Sequence, residues 1–126
     1  MFYKFAADTF ADVIIPYDRP YADPITVSCG ELVKPVLDGS WQTDIVGWAW
    51  CVATDGRAGW VPCSWCEAAG ENWRLLRDFS ALELTVRRGE RLLLLHSESG
   101  FVFCRSEGGE QGWVPDGCLA LVSPSS

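Results

Sequence analysis

Short alternating runs of apolar and polar residues dominate this chain, and no window sustains an apolar period of 3.6 residues. That pattern predicts strands, whose side chains point to two faces in turn. Residues 26–27, 33–37, 48–52 and 59–62 read as strands, and so do 85–86, 91–96, 101–105 and 112–115. Turn chemistry separates them at Asp38-Gly39-Ser40, Asp55-Gly56-Arg57, Glu98-Ser99-Gly100 and Gly108-Gly109-Glu110. Thr54-Asp55-Gly56 and Glu107-Gly108-Gly109 each sit between two strands, which predicts two tight hairpins. Pro35 lies inside a predicted strand without an N–H to give to a ladder, which places it at an edge or a bulge.

The strands come in two matching sets. Gly59-Trp60-Val61-Pro62 recurs as Gly112-Trp113-Val114-Pro115, and Gly47-Trp48-Ala49-Trp50-Cys51 answers Gly100-Phe101-Val102-Phe103-Cys104, both at an offset of 53. Upstream, Ile25-Thr26-Val27 with Gly30-Glu31 answers Leu84-Thr85-Val86 with Gly89-Glu90 at an offset of 59. The difference, 59 − 53 = 6 residues, falls in the polar stretch 38–46 of the first copy, as expected when a duplicated domain changes length in a loop. The chain therefore divides into an N-terminal segment 1–12, a first domain 13–69, a linker 70–74 and a second domain 75–123.

Alternation also sorts the side chains. Ala49 and Cys51 share one face of their strand while Trp48 and Trp50 share the other; Val102 and Cys104 likewise oppose Phe101 and Phe103. Small and medium residues suit the interior of a small fold, which leaves Trp48, Trp60 and Pro62 on an outer aromatic and proline shelf. Such a shelf marks a recognition surface. Trp41 and Trp73 lie in loop or linker text and read as packing residues.

Size and charge narrow the picture. Domains of this length bury only ~60% of their unfolded surface, and the seven Trp and six Phe supply large apolar area to compensate. The formal charge of −7 argues against nucleic acid and anionic membranes as partners. The N-terminus has no sustained apolar stretch, and Asp8 and Asp12 interrupt it, so no signal peptide and no membrane span are expected and a cytoplasmic location follows by default. In that compartment six cysteines read as reduced, mostly buried thiols, Cys51 and Cys104 occupying equivalent strand ends.

In order and twice over, these phrases resemble the Src homology 3 (SH3) domain. Each copy has an opening hydrophobic segment, a Leu-Thr-Val-like phrase, Gly-Glu, a strand, and Gly-x-x-Gly-Trp-Val-Pro; Asp78-Phe79-Ser80-Ala81 with Glu83-Leu84-Thr85-Val86 carries most of the pattern in the second. The chain looks like the bacterial tandem, ligand-binding SH3 type, from about Val13 to Val122. The resemblance implies an all-β fold of two tandem five-stranded SH3-like β-barrels, each with a groove for extended, proline-containing peptides. By motif, the first groove takes Trp48, Trp60, Pro62 and Trp65, completed by Tyr17 or Tyr21, and the second takes Phe101, Trp113, Pro115 and Phe79. Cys118 replaces an aromatic residue in the second copy, so the first is the better binding candidate. Glu83 and Asp23 are placed to pair with a ligand Arg or Lys.

Other chemistry is weakly represented. Cys63-Ser64-Trp65-Cys66 is a lone CxxC with no second pair and no spaced His for a zinc site, and it does not open a helix as a redox motif requires. His96, the one histidine, reads as a solvated strand end. No catalytic residue, metal or cofactor is expected. The function expected is a non-enzymatic adaptor for a protein or proline-containing peptide. The alternative is an assembly module whose aromatic faces close by interdomain or homodimer packing. Oligomeric state is not fixed by the sequence.

Overall fold

The computed structural model describes residues 2–20, 22–36 and 47–122. Tyr21, Trp41, the longer loop of the first repeat and the end of the predicted strand 33–37 lie outside the described residues. Among the described residues the structure is all-β, with two short 3-10 turns at Cys63–Trp65 and Asp116–Cys118. In chain order the strands are β1 (Phe2–Lys4), β2 (Phe10–Val13), β3 (Thr26–Val27), β4 (Leu32–Pro35), β5 (Trp48–Ala53), β6 (Ala58–Pro62) and β7 (Cys66–Ala69). They continue as β8 (Asn72–Leu75), β9 (Phe79–Ser80), β10 (Arg91–Glu98), β11 (Phe101–Arg105), β12 (Gln111–Pro115) and β13 (Leu119–Leu121).

Two compact units result, and their boundaries differ from those the repeat predicts. One unit is 22–82; the other combines 1–21 with 83–126. In the first, the strand order is β6-β5-β4-β8-β7, with β3 paired to β9 beside it; in the second it is β12-β11-β10-β2-β13, with β1 added along β10. The two paths are equivalent strand for strand except in origin. Each repeat's opening strand (β2 or β8) lies next to the other repeat's strands. The expected linker 70–74 is therefore mostly strand: β7 and β8 form a hairpin in which Ala69 faces Asn72 and Trp73 pairs with Ala68, while β4 brings Val33 to its other side.

Hydrogen bonds repeat this exchange bond by bond. Val13 N–H donates to Glu90 O and Gly89 N–H to Val13 O; in the other unit Leu75 N–H donates to Glu31 O and Gly30 N–H to Leu75 O. The Gly-Glu phrase is explained by the same turn. Gly30 and Gly89 take φ of +89° and +94°, which side-chain-bearing residues adopt only with strain, and the Glu31 and Glu90 carboxylates accept from the Ser28 and Arg87 N–H groups. The two predicted hairpins are present, with Gly56 and Gly109 at φ +90° and +92° closing equivalent turns. Among the described residues Pro35 pairs with Cys51 on one side only, because the pairing of β4 with β8 ends at Val33, so the sheet has an edge there.

Neither five-strand path closes into a ring among the described residues; β12 and β13 end one, β6 and β7 the other. The resemblance implied closed five-stranded barrels. A single 3-10 turn carries each chain from one end strand to the other without a ladder between them. The interiors hold the slender residues. Around Leu92 and Val114 one core gathers Ala11, Val13, Leu84, Val86, Leu94, Val102, Cys104 and Cys118. Unit 22–82 buries Ile25, Val27, Val33, Cys51, Ala53, Val61 and Leu75. Burial pushes the Cys51 and Cys104 thiols up to about 12, so both stay protonated at neutral pH.

Candidate functional site

The register places the predicted site residues on shared faces. Trp48 pairs with Pro62 and Trp50 with Trp60, while Cys51 pairs with Gly59 and Ala49 with Val61. In the other unit Phe101 pairs with Pro115 and Phe103 with Trp113, opposite the buried Val102 and Val114. Bulky rings and slender residues are thus sorted to opposite faces, as alternation predicts.

Openness is another matter. Trp48 is 5% exposed, Trp65 and Phe79 are 4%, and Pro62 is fully buried. The Phe79 ring stands edge-on to Trp65 at 5.5 Å and lies 6.1 Å from Trp48, and the Arg77 guanidinium sits 4.6 Å over the Trp65 ring. The sequence assigned Phe79 to the second groove and Tyr17 to the first. The structure places them the other way round, because the opening segments are exchanged. With Phe79 delivered against them, Trp48 and Trp65 become packing residues instead of an outer shelf. Trp60 remains half-buried, its ring edge-on to Trp50 at 5.3 Å.

In unit 1–21 with 83–126 the equivalent positions are more accessible. Tyr17, Phe101 and Pro115 are half-buried, whereas Trp113 is 3% exposed. Tyr17 exchanges backbone hydrogen bonds with Val86, and its hydroxyl donates to Glu83 Oε1 at 2.5 Å. Glu83 bridges Trp113 in turn, and Leu84 N–H donates to Trp113 O. Desolvation raises the Glu83 carboxyl above the usual range, partly offset by the Tyr17 hydroxyl, so Glu83 is held in a low-dielectric setting. Asp23, the other acid proposed for ligand pairing, forms an exposed ion pair with Arg57 at 3.2 Å.

Sequence reading missed one cluster. His96, expected as a solvated strand end, instead stacks its ring on Phe103 at 5.0 Å and meets Trp113 edge-on at 5.3 Å, with Phe2 5.2 Å away. The cause is β1, which pairs along the end of β10 so that Lys4 faces His96 and Phe2 faces Glu98. A register shift between Leu94 and His96 releases Leu95 from the ladder with β11, and the Leu95 carbonyl accepts from Phe5 N–H instead. The aromatic run Phe2-Tyr3-Lys4-Phe5 was the available signal. His96 thereby packs on the Phe103–Trp113 end of the aromatic face, where Trp113 is buried and Phe103 half-buried, while Phe101 and Pro115 at the other end are both half-buried.

Among the described residues no group of three or more His, Cys, Asp or Glu is arranged to hold a metal ion. Cys63 is exposed on its 3-10 turn, Cys66 is half-buried, and burial pushes the Cys66 thiol up to about 11, the opposite of an activated thiolate.

No curated protein and no solved structure matches the chain. A model of the variant SH3 domain family does match, over residues 13–69. That stretch of the first repeat carries the sequence pattern of a variant SH3 domain, a class of protein-interaction module.

Proposed function

We propose that the chain is a non-enzymatic adaptor whose peptide-binding face is formed by Tyr17, Phe101 and Pro115, with Trp113 beneath them and Glu83 at the acidic side. Its ligand is an extended, proline-containing segment of another protein, with a basic residue to meet Glu83. The observation that carries this reading is the half-exposed Phe101–Pro115 pair beside a buried tryptophan, in positions equivalent to Trp48 and Pro62 of the matched domain. A proline-rich helix of the polyproline II type presents flat faces that such rings accept without further ordering. The face is shallow, so affinity should be on the order of micromolar, about −8 kcal/mol.

An amide and indole NMR titration against a proline-rich peptide library tests the assignment. Shifts clustered at Phe101, Trp113 and Asp116, abolished by Phe101→Ala, are expected. A library that moves no resonance in this group overturns it. A second reading, an assembly module with closed aromatic faces, draws on the burial of Trp48, Trp65 and Phe79. Under it the chain binds no peptide and the rings serve packing alone.

A further inference from the structure

We infer that neither repeat is a folding or binding unit by itself. Each completes the other by exchanging its opening segment, and a chain cut between Gly70 and Glu71 remains one assembly. Two sets of equivalent contacts carry this. Residues 10–13 pair with β10 on one side and β13 on the other, burying Ala11 and Val13 to 0% and 2% exposure in the core of the unit that holds 83–126. Residues 72–75 pair with β4 and β7, and Leu75 is buried to 1% in the unit that holds 22–69. Withdrawing either segment would open a sheet between two strands and expose a core.

The connections show where the chain crosses over. Folding 75–82 back on its own repeat would pair Phe79 with Val86 and Ser80 with Thr85. In the structure Ala81 N–H instead donates to Ile25 O in one unit while Glu83 bridges Trp113 in the other, so the chain leaves one unit for the other at Leu82. Pro20 and Pro24 flank the other crossing, fixing φ and biasing the residues before them to extended backbone. The family match spans 13–69 continuously, whereas its first nine residues belong in space to the other unit. The pattern of one domain is thus distributed over two bodies.

A consequence rests on the groove proposed above. Tyr17 reaches the unit of Phe101 and Pro115 only through the exchange, so that groove needs residues of both repeats.

The test inserts a protease site between Gly70 and Glu71, an exposed two-residue turn with Gly70 at φ +67°. After complete cleavage in native buffer both fragments should elute together at the volume of the uncut chain and separate only in denaturant. Fragments that elute apart without denaturant overturn the inference. On the uncut, uninserted chain, cross-strand nuclear Overhauser effects between Ala11 and Leu92 and between Val33 and Trp73 are expected; contacts confined within each continuous repeat overturn it equally. A nicked chain that stays assembled and still shows the Phe101 shift supports both proposals. One that stays assembled but binds no peptide sinks the groove and leaves the exchange standing.

Discussion

At Gly59 a single hydrogen decides whether two segments can approach. A methyl group built there would lie 2.9 Å from the Ile25 side chain and 3.3 Å from Ala81 Cβ, with the Ile25 backbone nitrogen at 3.4 Å. The glycine of the Gly-Trp-Val-Pro phrase is thus a packing requirement. Gly59→Ala should cost about 1–3 kcal/mol, as overpacking does, read as a lower urea midpoint at unchanged slope. Glu83 poses an electrostatic question at the same scale. Its carboxyl is raised in the folded chain, so the fold favours the protonated form; the stability it contributes is complete at low pH and is lost as pH rises through the raised value. Glu83→Gln keeps an oxygen for the Tyr17 hydroxyl and removes the charge. The variant should gain stability relative to the parent chain as pH rises above the usual glutamate range, and a difference that stays constant with pH would contradict the assignment.

The elements show which local rules survive packing. Hairpins at 53–57 and 106–110 were legible because glycine and its polar neighbours dictate a turn whatever surrounds it. The faces of β5, β6, β11 and β12 were legible because alternation is a property of the backbone. Exposure was not, since it depends on what arrives from elsewhere. Phe79 covers Trp48 and Trp65, and β1 brings Phe2 to His96, and neither arrival is encoded in the strand that is covered. Trp48 illustrates the consequence. An exposed binding tryptophan could be removed with little loss of stability, whereas Trp48→Ala should destabilise the fold by about 3–5 kcal/mol through a cavity, measured by thermal or chemical unfolding. A variant as stable as the parent would show that the ring is not core.

For the whole molecule, the duplication, the all-β class and the inward set of slender residues were determined by the sequence itself. They follow from short-range periodicity and turn chemistry, which each segment carries wherever it packs. Which opening strand joins which set of partners was decided only in three dimensions. Val13 and Leu75 are both apolar, both bond the Gly-Glu turn through the same backbone groups, and each suits either place. Main-chain hydrogen bonds do not distinguish repeats, and apolar burial is not directional. The choice between equivalent frames therefore belongs to the chain's two crossings, one at Leu82 and one flanked by Pro20 and Pro24. With it rests the location of Tyr17 and Phe79, and hence which aromatic face is sealed and which remains accessible.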